Sequence, residues 1–448
     1  MSETKKSIRN IVNRLFSTGF FHIFGSSTIN KVIGFLSSIV LVRILTKPEY
    51  GTFTYAWNKY SIIILLSGLG VESGMLQLAS EHSGDADYAL KVTDYSTRFG
   101  LKVNVLLAFV LLGIGLFFPL KLPEGRYLIC TLCLLPIVQL MSGMTSCYLR
   151  SQKRNQEFSK LAVINTALVF TVSAGCAFFL REMGLVIGHY TGALAVFIIG
   201  RYVYRVRLFD QRAGNLNEEK KDLLKISIIS MVNNSLSQLM YLLDVFVLGI
   251  VDPQETILAS YKVATIIPTA LSFIPLSLIT YLYPYYAEHR NDGQWCLKHY
   301  KKILLGLGAF NLAVSALMFL LAPFIIQVLF GKEYLDSVTV FRILSLNYFF
   351  SGTFRILSGN LLVTQRKLKF NLLVAIVSST VNIVADYFLI QRWGSVGAAA
   401  ATVSVVLISS IMSTTYLIYT FKKQSSSGES QNNGDSAYQA PGRTGIDH

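Results

Sequence analysis

Charge is what this chain has least of. Asp, Glu, Lys and Arg make up 15% of its 448 residues, where a soluble domain carries about 25%. Hydrophobic residues reach 52% and the mean hydropathy is +0.49, which excludes a water-soluble globule. Acidic residues are scarcer than basic ones, 25 against 40, for a formal net charge of +15. Such an excess first suggests nucleic acid. Here the cations fall mainly in the connections between apolar runs, which is a topological pattern, so no nucleic-acid partner is expected. Cysteines number five, Cys130, Cys133, Cys147, Cys176 and Cys296. Cys130 and Cys133 make a C-x-x-C, but no second pair or neighbouring His completes a zinc site, and all five read as apolar filler. There is no catalytic carboxylate pair, nucleophile elbow or metal motif, so neither an enzyme nor a cofactor is expected. A cleavable signal peptide is not evident, since Met1 to Phe16 is basic and amphipathic and the first apolar run lacks a small-residue cleavage site. The short alternating strands of a β-barrel are missing too.

What is present is a series of apolar runs of roughly 20 residues, the mark of an all-α integral membrane protein. Twelve transmembrane spans are expected, near 20–42, 52–76, 99–119, 127–148, 160–180, 184–206, 226–250, 257–285, 303–329, 338–363, 370–390 and 395–421. Lys and Arg crowd the connections after even-numbered spans and both ends of the chain, as in Arg150, Lys153 and Arg154 or Arg366, Lys367 and Lys369. The positive-inside rule therefore places both termini in the cytoplasm.

The chain also repeats itself. Gln152-Lys153-Arg154 with Phe158 recurs as Gln365-Arg366-Lys367 with Phe370, an offset of 213 (365 − 152). Pro48 with Tyr55 recurs as Pro253 with Tyr261, an offset of 205 (253 − 48). A repeat of six spans re-enters the membrane in the same direction, which predicts two six-helix lobes related by a pseudo-two-fold along the membrane normal. The expected domains are an N-terminal lobe at 1–206, a cytoplasmic inter-lobe loop at 207–225, a C-terminal lobe at 226–421 and a disordered cytoplasmic tail at 422–448.

Several polar groups sit inside apolar spans. Asn382 and Asp386 are four residues apart, on one face of a helix. A carboxylate in hydrocarbon costs several kcal/mol and normally faces the protein interior or a water-filled cavity. After a short turn the chain returns through Gly397-Ala-Ala-Ala-Ala-Thr402, a run that allows close approach and adds a hydroxyl. Carboxylate, amide oxygen and hydroxyl suit a hard cation such as sodium. Lys31, Lys59 and Lys262 lie near mid-span, where snorkelling is hard, and are expected to face a water-filled cavity. Arg355 belongs with them. Arg98, Arg342 and Lys102 are expected to snorkel from span ends. His189 reads as a satisfied core histidine, and Pro268, Pro275 and Pro284 as kinks.

Leu41-Val-Arg43-Ile-Leu-Thr-Lys-Pro48-Glu49-Tyr50-Gly51, followed by Gly68-Leu-Gly70, resembles the opening of the O-antigen and polysaccharide flippases. These belong to the multidrug/oligosaccharidyl-lipid/polysaccharide exporter superfamily, whose multidrug (MATE) members share the expected two-lobe fold. The resemblance covers roughly residues 1–422. It implies an inner-membrane protein of a bacterium that moves undecaprenyl-pyrophosphate-linked repeat units outward, for O-antigen, capsule or exopolysaccharide synthesis. The basic groups Lys31, Lys59, Lys262 and Arg355 would then offset the charge of the pyrophosphate head in a central cavity. The related lipid II flippases carry a sodium site in the second lobe. Carried over, that site falls on Asp244, Asn382, Asp386, the Ala398 carbonyl and Thr402, with sodium or a proton as coupling ion. Membrane lipids, a polysaccharide polymerase and a chain-length regulator would be partners. An antiporter of cationic drugs is the alternative in the same fold, although it would want an acidic cavity. A membrane polysaccharide polymerase or ligase would want a large outer loop, which is lacking.

Overall fold

In hydrocarbon every backbone amide and carbonyl must find its partner within the protein, and a helix achieves this residue by residue. The computed structural model describes residues 20–82, 85–209, 216 and 219–436, and the regular structure among them is all helical. Most of each expected stretch is helical. Among the described residues eight helices are long and apolar enough to cross a membrane, or nine if one bent pair counts as a span. The chain is a multi-pass helical membrane protein. It divides into two compact units, Met1–Ile266 with Ile326–Ser337, and Ile267–Ile325 with Val338–His448.

In the first unit, α1 (Phe20–Ile44) leads through Thr46 into α2 (Lys47–Ile64). Glu49 in the first turn of α2 accepts the Thr46 amide at 2.8 Å, satisfying one donor that the helix start leaves open. The chain then bends by 40° before α3 (Val71–Glu81). The bend is written in Gly68, Leu69 and Gly70, whose φ values are 53°, 49° and 79°. A Cβ at Gly70 would also strike the Ser227 carbonyl, so glycine is needed there on two counts. Asn104 on α4 (Ala86–Phe117), fully buried, holds the break together. Its Oδ1 accepts the Gly68 amide at 2.7 Å, and its Nδ2 donates to the Pro136 carbonyl at 2.7 Å and to Ser67 Oγ at 3.0 Å. Ser235 donates to the carbonyl of Leu65 at 2.9 Å.

The unit continues through α5 (Arg126–Thr131) and α6 (Leu135–Ser151) to a hairpin of α7 (Asn155–Leu180) and α8 (Glu182–Tyr202), with α1 packed on α7. Its core joins Val71, Met75, Leu140, Met144 and Leu223. Leu223 belongs to α9 (Lys220–Val251), which is followed by α10 (Glu255–Leu271). Residues 220–266 of these two helices fall in the first unit and Ile267–Leu271 in the second. Small residues let them approach α2 and α3 closely: a Cβ at Gly51 would strike the Glu255 backbone, and one at Gly74 would strike Ser227.

The second unit holds α11 (Phe273–Glu288), α12 (Gly293–Leu320), the first turn of α13 (Ala322–Leu329) and α14 (Val338–Phe350). A π-turn at Ser351–Arg355 leads into α15 (Ile356–Thr364), and α16 (Leu368–Ser436) is folded back on itself at Gly394. Tyr286, Tyr300, Leu357, Leu361 and Phe421 pack in its core. The last helix runs past Phe421 to Ser436. Gln424 Nε2 donates to Gln365 Oε1 at 3.0 Å, and a Cβ at Gly293 would press on Ser425, so packing carries the helix past Phe421. The remainder of the expected tail, 437–448, and the centre of the expected inter-lobe loop, 210–215, lie outside the described residues.

The repeated Gln-basic-basic triplet ends its helix in the same way both times. Gln152 donates to the carbonyl of Tyr148 and Gln365 to that of Leu361, each at 3.1 Å. Lys153 and Arg366 follow with φ of 57° and 56°. Arg154 then reaches back to the Leu149 carbonyl at 2.8 Å and Lys367 to that of Leu362 at 2.9 Å. This is the left-handed cap in which two amides collect carbonyls left over at a helix end.

Candidate functional site

Lys59 lies on α2, half-buried. Its ammonium stands 4.9 Å from the centre of the Tyr55 ring and 4.2 Å from that of Phe246 on α9. An aromatic face attracts a cation through its quadrupole, by about 0.5–2 kcal/mol depending on desolvation. The neighbouring Asn58, buried, donates to the Leu242 carbonyl at 3.0 Å, which fixes α2 against α9 just beside the cation. Two residues before Phe246 comes Asp244, 8% exposed. Tyr261 on α10 donates to Asp244 Oδ2 at 2.6 Å. Lys262 follows Tyr261 directly and is exposed, as is Lys31 on α1. Thus Lys59, Asp244 and Tyr261 belong to one packed set on α2, α9 and α10. Lys31 sits on a helix that packs on α7.

In the second unit Arg355, half-buried, closes the π-turn. A π-turn displaces one residue from the helical ladder and frees its polar groups, an arrangement frequent at functional sites. Three buried side chains brace it. Tyr348 donates to Asn311 Oδ1 at 2.9 Å, and Asn311 Nδ2 donates to Thr353 Oγ1 at 3.1 Å. Asn382 and Asp386 are buried at 2% and 0% exposure on the arm of α16 before Gly394, on one face as their spacing requires. On the arm after Gly394, Thr402 donates to the Ala398 carbonyl at 3.1 Å. The two arms meet closely at their fold, where a Cβ on Gly397 would strike the Leu389 carbonyl. Asp244 belongs to the first unit and the other four residues of the expected cation set to the second.

Some intrahelical charges have local duties the sequence did not show. Arg342 donates from its Nε to the Phe319 carbonyl at 3.2 Å, at the end of α12. Arg126 does the same for α4, donating to the carbonyls of Gly115 at 2.9 Å and Leu116 at 2.8 Å. Guanidinium groups are well placed at helix C-termini, where carbonyls are unpaired and the dipole is negative. Arg98 pairs with Asp94 at 2.8 Å. His189, half-buried, stacks on Trp57 with ring centres 4.1 Å apart. In the opening motif, Arg43 donates to the carbonyls of Leu329 at 2.8 Å and of Val328, and Lys47 pairs with Asp336 at 2.6 Å.

A second internal repeat also escaped the sequence reading. His82, Asp85 and Tyr88 recur as His289, Asp292 and Trp295, an offset of 207 (289 − 82). Each Asp caps the following helix by accepting the amide of the aromatic residue at 2.9 Å. Each His stacks on that aromatic ring with centres 4.1 Å apart. The spacing H-x-x-D-x-x-aromatic was the available signal.

Residues 40–339 match the family described as polysaccharide biosynthesis protein. No curated protein matches the chain in sequence. Solved structures share its fold. A lipid II flippase, MurJ, in an inward closed conformation has a TM-score of 0.68 at 14% identity, covering 94% of this chain and 93% of its own. An inward-facing multidrug resistance MATE transporter of the MOP superfamily has a TM-score of 0.67 at 15% identity, covering 92% and 96%. An outward-facing structure of such a transporter has a TM-score of 0.59 at 14% identity, covering 90% and 94%.

Proposed function

The chain belongs to the polysaccharide biosynthesis protein family, and from that premise we propose that it is a flippase. Its substrate would be an undecaprenyl-pyrophosphate-linked oligosaccharide, carried from the cytoplasmic to the outer leaflet of a bacterial inner membrane. The observation that carries this reading is Lys59, a cation placed half inside an apolar span and set against aromatic faces. Holding a charge there is costly, and an anionic head group repays the cost while a cationic drug would not. The lipid tail stays in the membrane while the head crosses, and the protein alternates between two states around it. MurJ, which shares the fold, is named a lipid II flippase, a protein that handles a lipid-linked substrate.

A cation or proton in the second unit would bias one state by its differential affinity. Asp386, Asn382, the Ala398 carbonyl and the Thr402 hydroxyl supply oxygens of the right kind, and Asp244 joins them on the resemblance alone. Both termini would lie in the cytoplasm, and a polymerase and chain-length regulator would receive the product. The test uses the purified full chain in vesicles containing the lipid-linked oligosaccharide, with externally added glycosidase reporting its arrival outside. Lys59→Ala should slow that arrival about tenfold, the effect of losing roughly 1.4 kcal/mol at the crossing step. A wild-type chain that moves the lipid no faster than protein-free vesicles overturns the proposal.

A further inference from the structure

The second unit contains a cavity of about 220 Å³ lined by Ile279, Thr280 and Tyr283 of α11 and by Asn360 of α15. None of these four described lining residues carries a charge. Each polar member nevertheless has hydrogen-bonding capacity left. The Thr280 hydroxyl donates to the Leu276 carbonyl at 2.7 Å, which leaves its lone pairs free to accept. Asn360 uses one N–H on the Ile356 carbonyl at 2.8 Å, which leaves a second N–H and an amide oxygen. Tyr283 is 38% exposed and offers both a ring face and a hydroxyl. Beside Asn360, a Cβ on Gly359 would meet nothing within 4 Å, so the helix keeps open space there. A flat apolar face next to an amide and two hydroxyls matches one chemical class well. A pyranose ring presents C–H groups on its faces and hydroxyls around its edge.

Position narrows the choice. Asn360 lies five residues before Gln365 and Tyr283 six before His289, so both are about 7–9 Å from their helix ends. Those ends lead into the basic connections that the charge distribution assigns to the cytoplasm, where a substrate assembled inside would enter. Arg355 precedes Asn360 by five residues on the same helical run, about 7.5 Å along the axis and about 140° around it.

We infer that this cavity is a sugar subsite for the ring attached to the pyrophosphate, entered from the cytoplasmic side. The inference rests on the flippase reading and assigns part of its specificity to Thr280, Tyr283 and Asn360. Binding to the purified full chain is measured by native mass spectrometry with two probes. They are undecaprenyl pyrophosphate and the same lipid bearing one N-acetylglucosamine. The sugar-bearing lipid should bind about tenfold more tightly, the size of one or two net hydrogen bonds. Asn360→Leu should bring that ratio close to one without changing the affinity for the bare lipid. Thr280→Val, of nearly the same shape, should lower the ratio in the same sense and serves if Asn360→Leu fails to reach the membrane. Equal binding of the two lipids by the wild type overturns the subsite while leaving the flippase reading intact. A parallel loss for both lipids in the variants also overturns it, by placing the prenyl chain in the cavity. A wild type that binds neither lipid overturns the flippase reading itself, and the subsite with it.

Discussion

Arg181 and Gly394 hold the same backbone conformation, φ 52° and ψ −133° against φ 53° and ψ −131°, at positions 213 residues apart (394 − 181). Each turns one long helix back into the next. The offset equals that between the triplets at 152 and 365, and the caps at Lys153 and Arg366 share it as well. The repeat is therefore present in the backbone, down to single torsion angles, and not only in scattered identities. Two copies of one hairpin have kept their turn while the residue at its apex diverged.

That divergence has a cost. A positive φ with ψ near −130° suits glycine and strains a residue with a Cβ, by about 1–3 kcal/mol. Gly394→Ala should lower stability by about 1–2 kcal/mol, read as an earlier thermal unfolding midpoint in detergent. Arg181→Gly should do the opposite or be neutral. It removes the strain but also the ion pair of Arg181 with Glu49 at 3.6 Å, and an exposed pair of that length contributes at most about 1 kcal/mol. A clear loss of stability in Arg181→Gly would show that the turn is not strained.

Much of this fold was legible because membrane helices announce themselves by apolar length. The turn after Ile390 was readable from the break between two apolar runs, and the repeat from the triplets at Gln152 and Gln365. The site was less legible. The π-turn at Ser351–Arg355 has no periodicity of its own, since one inserted residue leaves an apolar run apolar. For Arg342, sequence shows the depth and not the carbonyl it meets at Phe319. Lys59 was singled out by its position alone, but the rings of Tyr55 and Phe246 come from a neighbour and from a helix nearly two hundred residues away. Contacts of that separation are invisible to local pattern.

The brace of the π-turn gives a second test. Asn311, Tyr348 and Thr353 are all buried to 1% exposure or less, so removing the shared amide strands two polar partners at once. Asn311→Leu keeps the volume and should cost about 2–3 kcal/mol. Thr353→Val, which removes only one contact, should cost about 1 kcal/mol. Equal effects in a denaturation series would mean that the amide is not the hub.

The opening motif gives a third. Lys47 is 12% exposed and binds Asp336 at 2.6 Å, the Glu333 carbonyl at 3.0 Å and, at 5.4 Å, the Tyr334 ring. Asp336 also accepts from Ser260 at 2.8 Å. With three bonds meeting at a pair whose Asp336 is 53% exposed, the coupling between Lys47 and Asp336 should reach about 0.5–1 kcal/mol. A double-mutant cycle with Lys47→Met and Asp336→Asn measures it. A coupling indistinguishable from zero would reduce the contact to a surface pair.

The cation proposal turns on Asp386. Its carboxyl is 0% exposed, one helical turn from Asn382 at 2%. Under the proposed function a carboxylate at that depth would exchange a bound cation for a proton, since a buried charge in low dielectric is costly. Sodium and a proton would then be alternative occupants of the same oxygens, and either gradient would bias the proposed transport cycle. Asp386→Asn removes the charge and keeps the shape. It should leave a folded, membrane-inserted protein whose flipping continues at its basal rate, while the stimulation by an imposed sodium or pH gradient falls about tenfold, equivalent to roughly 1.4 kcal/mol of lost coupling. The competing role is a polar tie between the arms of α16, worth about 1 kcal/mol in a membrane. In that case Asp386→Asn would lower thermal stability and leave the gradient response unchanged. Measuring both quantities on one preparation separates the two, and an undiminished response would remove Asp386 from the coupling mechanism.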